Sequence, residues 1–95
     1  MENNNTIFST RDLYLAAVLV TLKFPIQGVD YSIEGEKALP VGYFQFLNSP
    51  ALREARQKYS QGLISVEPRM FITNMRSLKA EIANVFRNPN MNNGI

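Results

Sequence analysis

From Leu13 to Leu22 the chain runs for ten residues without a charged side chain. Immediately before that run stand Phe8-Ser9-Thr10-Arg11-Asp12. Ser9 or Thr10 can accept a hydrogen bond from a free amide of a first helical turn, and Asp12 suits the positive end of a helix dipole. The segment therefore reads as a helix from about Thr10 to Lys23 that is apolar nearly all round. A helix without a polar face belongs at the buried centre of a fold. Pro25 stops it, because the residue before a proline avoids the helical region. Ten apolar residues are also too few to span a bilayer, which takes about 20.

The rest of the chain supplies what that helix can be buried against. Val29, Tyr31 and Ile33 alternate with Gly28, Asp30 and Ser32, a strand pattern over Ile26–Ile33. Glu34-Gly35-Glu36-Lys37 has the composition of a tight turn. Leu39–Leu47, rich in β-formers, is the return strand, with Pro40 confined to its start or to an open edge. Ser49-Pro50 is an N-cap followed by a favoured first helical residue. The second helix has an apolar side of Leu52, Ala55 and Tyr59, a Glu54–Lys58 pair on its wet side, and Gly62 as its C-terminal cap. Leu63-Ile64-Ser65-Val66 is an extended connector and a candidate third strand. A third helix opens at Glu67-Pro68 and runs to about Phe86; Phe71, Met75, Leu78, Ile82, Val85 and Phe86 form its apolar stripe. The expected fold is α+β: helix–hairpin–helix–helix, with a small antiparallel sheet of two or three strands packed on the buried first helix and the amphipathic third. Leu15 and Leu19 are its expected centre.

At 95 residues the chain makes one domain. Residues 1–7 and 88–95, rich in Asn, read as solvated tails around a domain of residues 8–87. There is no Cys, His or Trp. That removes disulfides, thiolate nucleophiles, imidazole bases and the usual zinc sites, and no cofactor signature is present. The start lacks the basic region of a secretory signal. A cytoplasmic, non-enzymatic protein is expected. Asp12, Glu67 and Glu81 are the carboxylates best placed for acid–base work. Each has a plainer role at a helix start or on a polar face.

The net charge of +2 is unevenly spread. Residues 1–50 carry three basic and five acidic side chains; residues 51–95 carry seven and three. The second half is the part that would attract an acidic partner. On the third helix, with Phe71 at zero, Arg69 and Arg87 fall at about 160°, Arg76 at about 140° and Lys79 at about 80°. The arginines line one flank over roughly 27 Å. They can grip carboxylates of a protein partner, and Arg69, Arg76, Lys79 and Arg87 form the candidate partner-binding site. Alternatively Arg53, Arg56, Lys58, Arg69, Arg76 and Arg87 track the phosphates of a nucleic acid. A solvated helix face is the bland alternative to both. The aromatics of the hairpin divide: Phe44 and Phe46 alternate onto one face as core, while Tyr31 and Tyr43 are expected to show their hydroxyls at the surface. The long apolar Leu39–Leu47 strand reads as an open sheet edge, through which a homodimer or a partner strand could pair.

Phe8 to Ala17 spells Phe-Ser-Thr-x-Asp-Leu-Tyr-Leu-Ala-Ala. Together with Tyr59, Gly62, Pro68-Arg69-Met70-Phe71 and Arg76-Ser77-Leu78-Lys79, this opening resembles a small family of uncharacterised bacterial and phage proteins, over most of residues 8–86. The resemblance implies a phage or mobile-element setting, such as an accessory or inhibitor protein acting on a host protein, and lends no catalytic or binding residue. Leu39-Pro40-Val41-Gly42 stands where the family has a plainer strand, which leaves the hairpin register open.

Overall fold

A computed structural model describes residues 6–34 and 39–87. The order is β1 (Ile7–Thr10), α1 (Leu13–Thr21), β2 (Ile26–Glu34), β3 (Leu39–Leu47), α2 (Pro50–Ser60) and α3 (Pro68–Arg87). It is an α+β domain with one antiparallel three-stranded sheet, in the order β1-β3-β2, and helices packed on that sheet. The expected turn at 35–37 and the tails at 1–5 and 88–95 lie outside the described residues.

Three expectations are corrected by β1. The third strand is Ile7–Thr10, not Leu63–Val66, which joins no sheet. Thr6 and Ile7 are not tail: Ile7 pairs with Leu47, and the Asn48 amide donates to the Thr6 carbonyl at 2.9 Å. Leu39–Leu47 is not an edge but the central strand, flanked by β2 along its length and by β1 over Phe44–Leu47. The most apolar strand takes the position with neighbours on both sides, and the open edges fall to β1 and to β2. A bulge at Gln27 separates the Ile26–Phe46 and Gly28–Gln45 pairs.

Because Ser9 and Thr10 are extended, neither is the N-cap of α1. Asp12 is, its carboxylate accepting from the amides of Tyr14 at 3.0 Å and Leu15 at 3.2 Å. Thr10 supports it, its hydroxyl accepting from the Asp12 amide at 3.0 Å. The helix is thus shorter at both ends than the apolar run implied. It closes with the Lys23 amide bonded to Val20 O and the Phe24 amide to Leu19 O, the double bond of a Schellman ending. Lys23 sits there at φ 80°. At the end of α2, Gly62 takes the same place at φ 74°, with Gly62 N to Tyr59 O and Leu63 N to Lys58 O. Ser49 caps α2 as expected, accepting from the Leu52 amide at 3.1 Å. Glu67 caps α3, its carboxylate accepting from Met70 N at 2.8 Å.

The core lies where α1 crosses the inner face of the sheet. Ala16, Ala17, Leu19, Phe44, Phe46 and Leu52 are fully buried, and Leu78 nearly so. Phe8, Phe71, Met75 and Ile82 pack against them. Helices α2 and α3 each rest on α1. One polar pin joins two of the helices: the buried Thr21 hydroxyl donates to Ala17 O at 2.7 Å and accepts from Asn74 Nδ2 at 3.0 Å. Two expectations about the core change. Leu15 is only half-buried, since it lines an open groove beside α2 and β1, and its neighbour Tyr14 is 58% exposed. Tyr31 is not a surface tyrosine. The register sets it opposite Gly42, where the missing side chain leaves room for its ring beside Ile82, and its hydroxyl is buried. Burial first, and the Glu81 carboxylate second, raise its pKa above the ordinary phenol value.

Candidate functional site

Helix α2 leaves the end of β3 through Asn48 and Ser49, with Asn48 Oδ1 accepting from the Ser49 amide at 3.1 Å. Burial of Leu52 and Ala55 then fixes the rotation of the helix. At 100° per residue, that rotation turns Arg53, Arg56, Gln57 and Ser60 to one flank. This flank faces β1 and the first turns of α1 across an open groove of about 530 Å3. Phe8 and Leu15 form its apolar side, and Tyr59 also lines it.

The distinctive contact in the groove joins residues 48 positions apart. The Arg56 guanidinium carbon stands 3.9 Å from the centre of the Phe8 ring, over its face. Phe8 itself packs against the core, so Arg56 covers the ring from the solvent side. A cation on an aromatic face is attracted to the ring quadrupole by about 0.5–1 kcal/mol at an exposed site. Tyr59 has its pKa raised by burial, and then by the charge of Asp12 and by Tyr14. The acidic influence comes from the start of α1, where the Asp12 carboxylate is engaged by backbone amides. No Asp or Glu lines the groove among the described residues. On the side of Tyr59 toward α3, an apolar cleft of about 240 Å3 is bounded by Val18, Ile64, Val66 and Phe71.

The basic residues singled out from the sequence do not form one surface. Arg53 and Arg56 line the groove. Lys58 faces a different depression, beside Leu22 and Phe24, and pairs with Glu54 at 3.3 Å, as expected. Arg69, Arg76 and Lys79 are exposed on α3; Arg69 and Arg76 lie on the part of the helix turned away from Phe71, Leu78 and Ile82, and Lys79 lies on the flank beside that stripe. Arg69 borders a shallow depression with Met70, Thr73 and Asn74. Arg87 ends α3; its side chain, like those of Val85 and Phe86, lies outside the described ones. Asp12 and Glu67 are occupied as helix caps, and Glu81 is exposed on α3.

Sequence reasoning missed the groove because its apolar side depends on β1. Read as a helix start, Phe8 has no defined direction; paired with Phe46 in β1, it points to the helix side of the sheet and meets α2. The one available signal was the strand-like composition of Ile7-Phe8-Ser9-Thr10 itself. Among the described residues, no group of three or more His, Cys, Asp or Glu side chains is placed to hold a metal ion, and no helix is long and apolar enough to cross a membrane. No family model, no curated protein and no solved structure matches the chain.

Proposed function

We propose that the protein is a non-enzymatic protein-interaction module, and that it docks its partner in the groove between α2 and β1. The observation that carries this reading is the Arg56–Phe8 stack, set in a groove that has apolar and arginine-bearing walls and no lining carboxylate among the described residues. Arginine and aromatic side chains are the residues that most often carry binding energy at protein interfaces. A stacked guanidinium is also held in place before the partner arrives, which lowers the entropy lost on binding.

Nucleic-acid binding is the weaker reading, for two reasons. A single strand needs aromatic faces on which bases can stack, and the solvent side of Phe8 is taken by Arg56. Phosphate tracking needs cations in a continuous line, whereas Lys58 is tied to Glu54 and Arg69 and Arg76 stand on another helix. Self-association through a sheet edge is also disfavoured. The long open edge, β2, carries Asp30 and no basic residue among its described side chains, so antiparallel pairing of two copies gains no opposite-charge pair there. A cytoplasmic setting is part of the reading; a phage or mobile-element role rests only on the resemblance carried by Phe8–Ala17, Tyr59, Gly62, Pro68–Phe71 and Arg76–Lys79.

The test uses the full chain to capture partners from nuclease-treated lysate, and hydrogen exchange on the purified complex to locate the contact. The reading expects protection in β1 and in residues 53–60, and loss of the complex on Arg56→Gln but not on Arg76→Gln. Protection confined to α3, with loss on Arg76→Gln, would move the docking site to the Arg69–Arg76–Lys79 row. A complex that nuclease abolishes would favour nucleic acid.

A further inference from the structure

We infer that the groove takes an acidic linear segment of its partner, with a carboxylate at Arg56 and a neighbouring apolar side chain against Leu15 and Tyr59. The inference deepens the proposed function and rests on it. Three observations lead to it. Arg56 lies on Phe8 at 3.9 Å, so one face of the guanidinium is shielded from water while the N–H donors at its edges stay available. That is the arrangement in which arginine binds a planar carboxylate through two parallel hydrogen bonds. Arg53 is three residues earlier on the same flank, which adds positive charge where no Asp or Glu among the described residues lines the wall. The opposite side, Phe8 and Leu15, is apolar, and the groove volume of about 530 Å3 lies in the range that encloses a small ligand or a few side chains.

A phosphate is a poorer fit than a carboxylate. Phosphate sites commonly use the free amides of a helix N-terminus. The helix that starts beside this groove is α1, and its first free amides, Tyr14 N and Leu15 N, are already bonded to the Asp12 carboxylate. The Asp12 charge reaches Tyr59, so that end of the groove disfavours a dianion and leaves Arg56 as the anion's anchor. The recognised segment thus has an order: an acidic residue toward α2 and an apolar residue toward the start of α1.

The experiment selects a random displayed peptide library on the full-length protein and measures the recovered peptides by fluorescence anisotropy. The expected result is enrichment of Asp or Glu next to an aliphatic or aromatic residue. Affinity should fall at least tenfold when the peptide acid becomes Asn or Gln, and at least tenfold on Arg56→Gln. Arg56→Lys keeps the charge but loses the paired hydrogen bonds, and should not restore binding. Thermal melts of both variants check that the fold is intact, and Arg76→Gln should bind like the parent. Inorganic phosphate and a 20-mer of deoxythymidine serve as competitors and should displace the peptide only weakly. Selected peptides that protect the groove from hydrogen exchange but show no acidic preference, or that bind Arg56→Gln equally, would overturn this inference and leave protein docking in place. Peptides that protect only some other surface would overturn both, as would displacement by the oligonucleotide with protection of the groove.

Discussion

The two Schellman endings offer a test in which one substitution should have opposite effects from those of a helix interior. Lys23 and Gly62 hold the same position in the same hydrogen-bond pattern, at φ 80° and 74°. A side chain there brings Cβ close to a carbonyl oxygen and costs about 1–2 kcal/mol. Glycine avoids that strain but loses about 0.5–1 kcal/mol of backbone entropy relative to alanine. Taken at the middle of each range, the net preference for glycine is about 0.75 kcal/mol. Comparison with alanine isolates the backbone, because both Lys23→Ala and Lys23→Gly remove the lysine charge and its interaction with the end of α1. Lys23 is exposed, so neither variant loses packing. A Cβ added at Gly62 meets nothing within 4 Å, so Gly62→Ala creates no clash. Lys23→Gly should exceed Lys23→Ala, and the parent should exceed Gly62→Ala, by about 0.75 kcal/mol. For a domain of this size that is a Tm difference of roughly 3–6 °C. Urea unfolding followed by circular dichroism, with an unchanged slope, gives the free energies. At an interior helical position alanine would win by about the same amount. An alanine variant as stable as glycine at either site would refute the assignment of these backbone conformations.

Three further outcomes are expected. Leu19 is fully buried in the core cluster that includes Phe44, Phe46 and Leu78, and Leu19→Ala should lose about 2–5 kcal/mol; an unchanged Tm would show that α1 is not the core. Asn74→Ala removes the hydrogen bond to Thr21 and should lose about 0.5–1.5 kcal/mol in chemical denaturation; a loss near zero would show that the pin is solvent-equivalent. Tyr59 should ionise above the ordinary value of 10.0, because burial and then Asp12 and Tyr14 oppose the phenolate. With the folded pKa raised, the stabilisation is fully present below pH 10.0 and is lost as the pH climbs through the higher folded value. Asp12→Asn keeps a capping oxygen and removes the charge, so alkaline titration of tyrosinate absorbance, with the other tyrosines changed to Phe, should show Tyr59 moving down yet staying above its ordinary value; no movement would contradict the Asp12 contribution.

The elements with redundant signals were legible in the sequence. Helix α2 had Ser49, Pro50 and Gly62 at its two ends, and helix α3 a stripe sustained over four turns; both lie within a residue or two of their expected bounds. The hairpin strands were also placed correctly, because alternation and flanking Gly and Pro residues agreed. What failed was β1, a strand of four residues. Ser9 and Thr10 are equally at home as caps and as strand residues, and the decision between them is made by β3, more than thirty residues later, through long-range hydrogen bonds that leave no local pattern. The misplaced edge follows from the same cause, since Leu39–Leu47 is an edge only when β1 is missing. Tyr31 failed for a different reason. Alternation already sets it on the face of Val29 and Ile33; the burial of its hydroxyl depends on the room left by Gly42 opposite and on Ile82, which the pattern of β2 alone does not show.

The strand that sequence reading lost is also the strand that makes the site, and this bears on what the site is for. Without β1, Phe8 has no partner strand and Arg56 has no ring to stack on; with it, the pairing of Phe8 to Phe46 and the burial of Leu52 fix both halves of the Arg56–Phe8 stack. The stack is a product of the fold rather than a support for it. A half-exposed cation on a ring contributes about 0.5–1 kcal/mol, against about 2–5 kcal/mol for a single core leucine. Substitution of Arg56 by Gln should therefore leave the domain folded, with a Tm lowered by only a few degrees. An arginine whose loss barely affects folding, yet which is oriented by core packing on both sides, is free to be specified by a partner. A large loss of stability on Arg56→Gln would reverse that conclusion, making the stack structural and leaving the exposed Arg69–Arg76–Lys79 row of α3 as the surface on which to seek the partner.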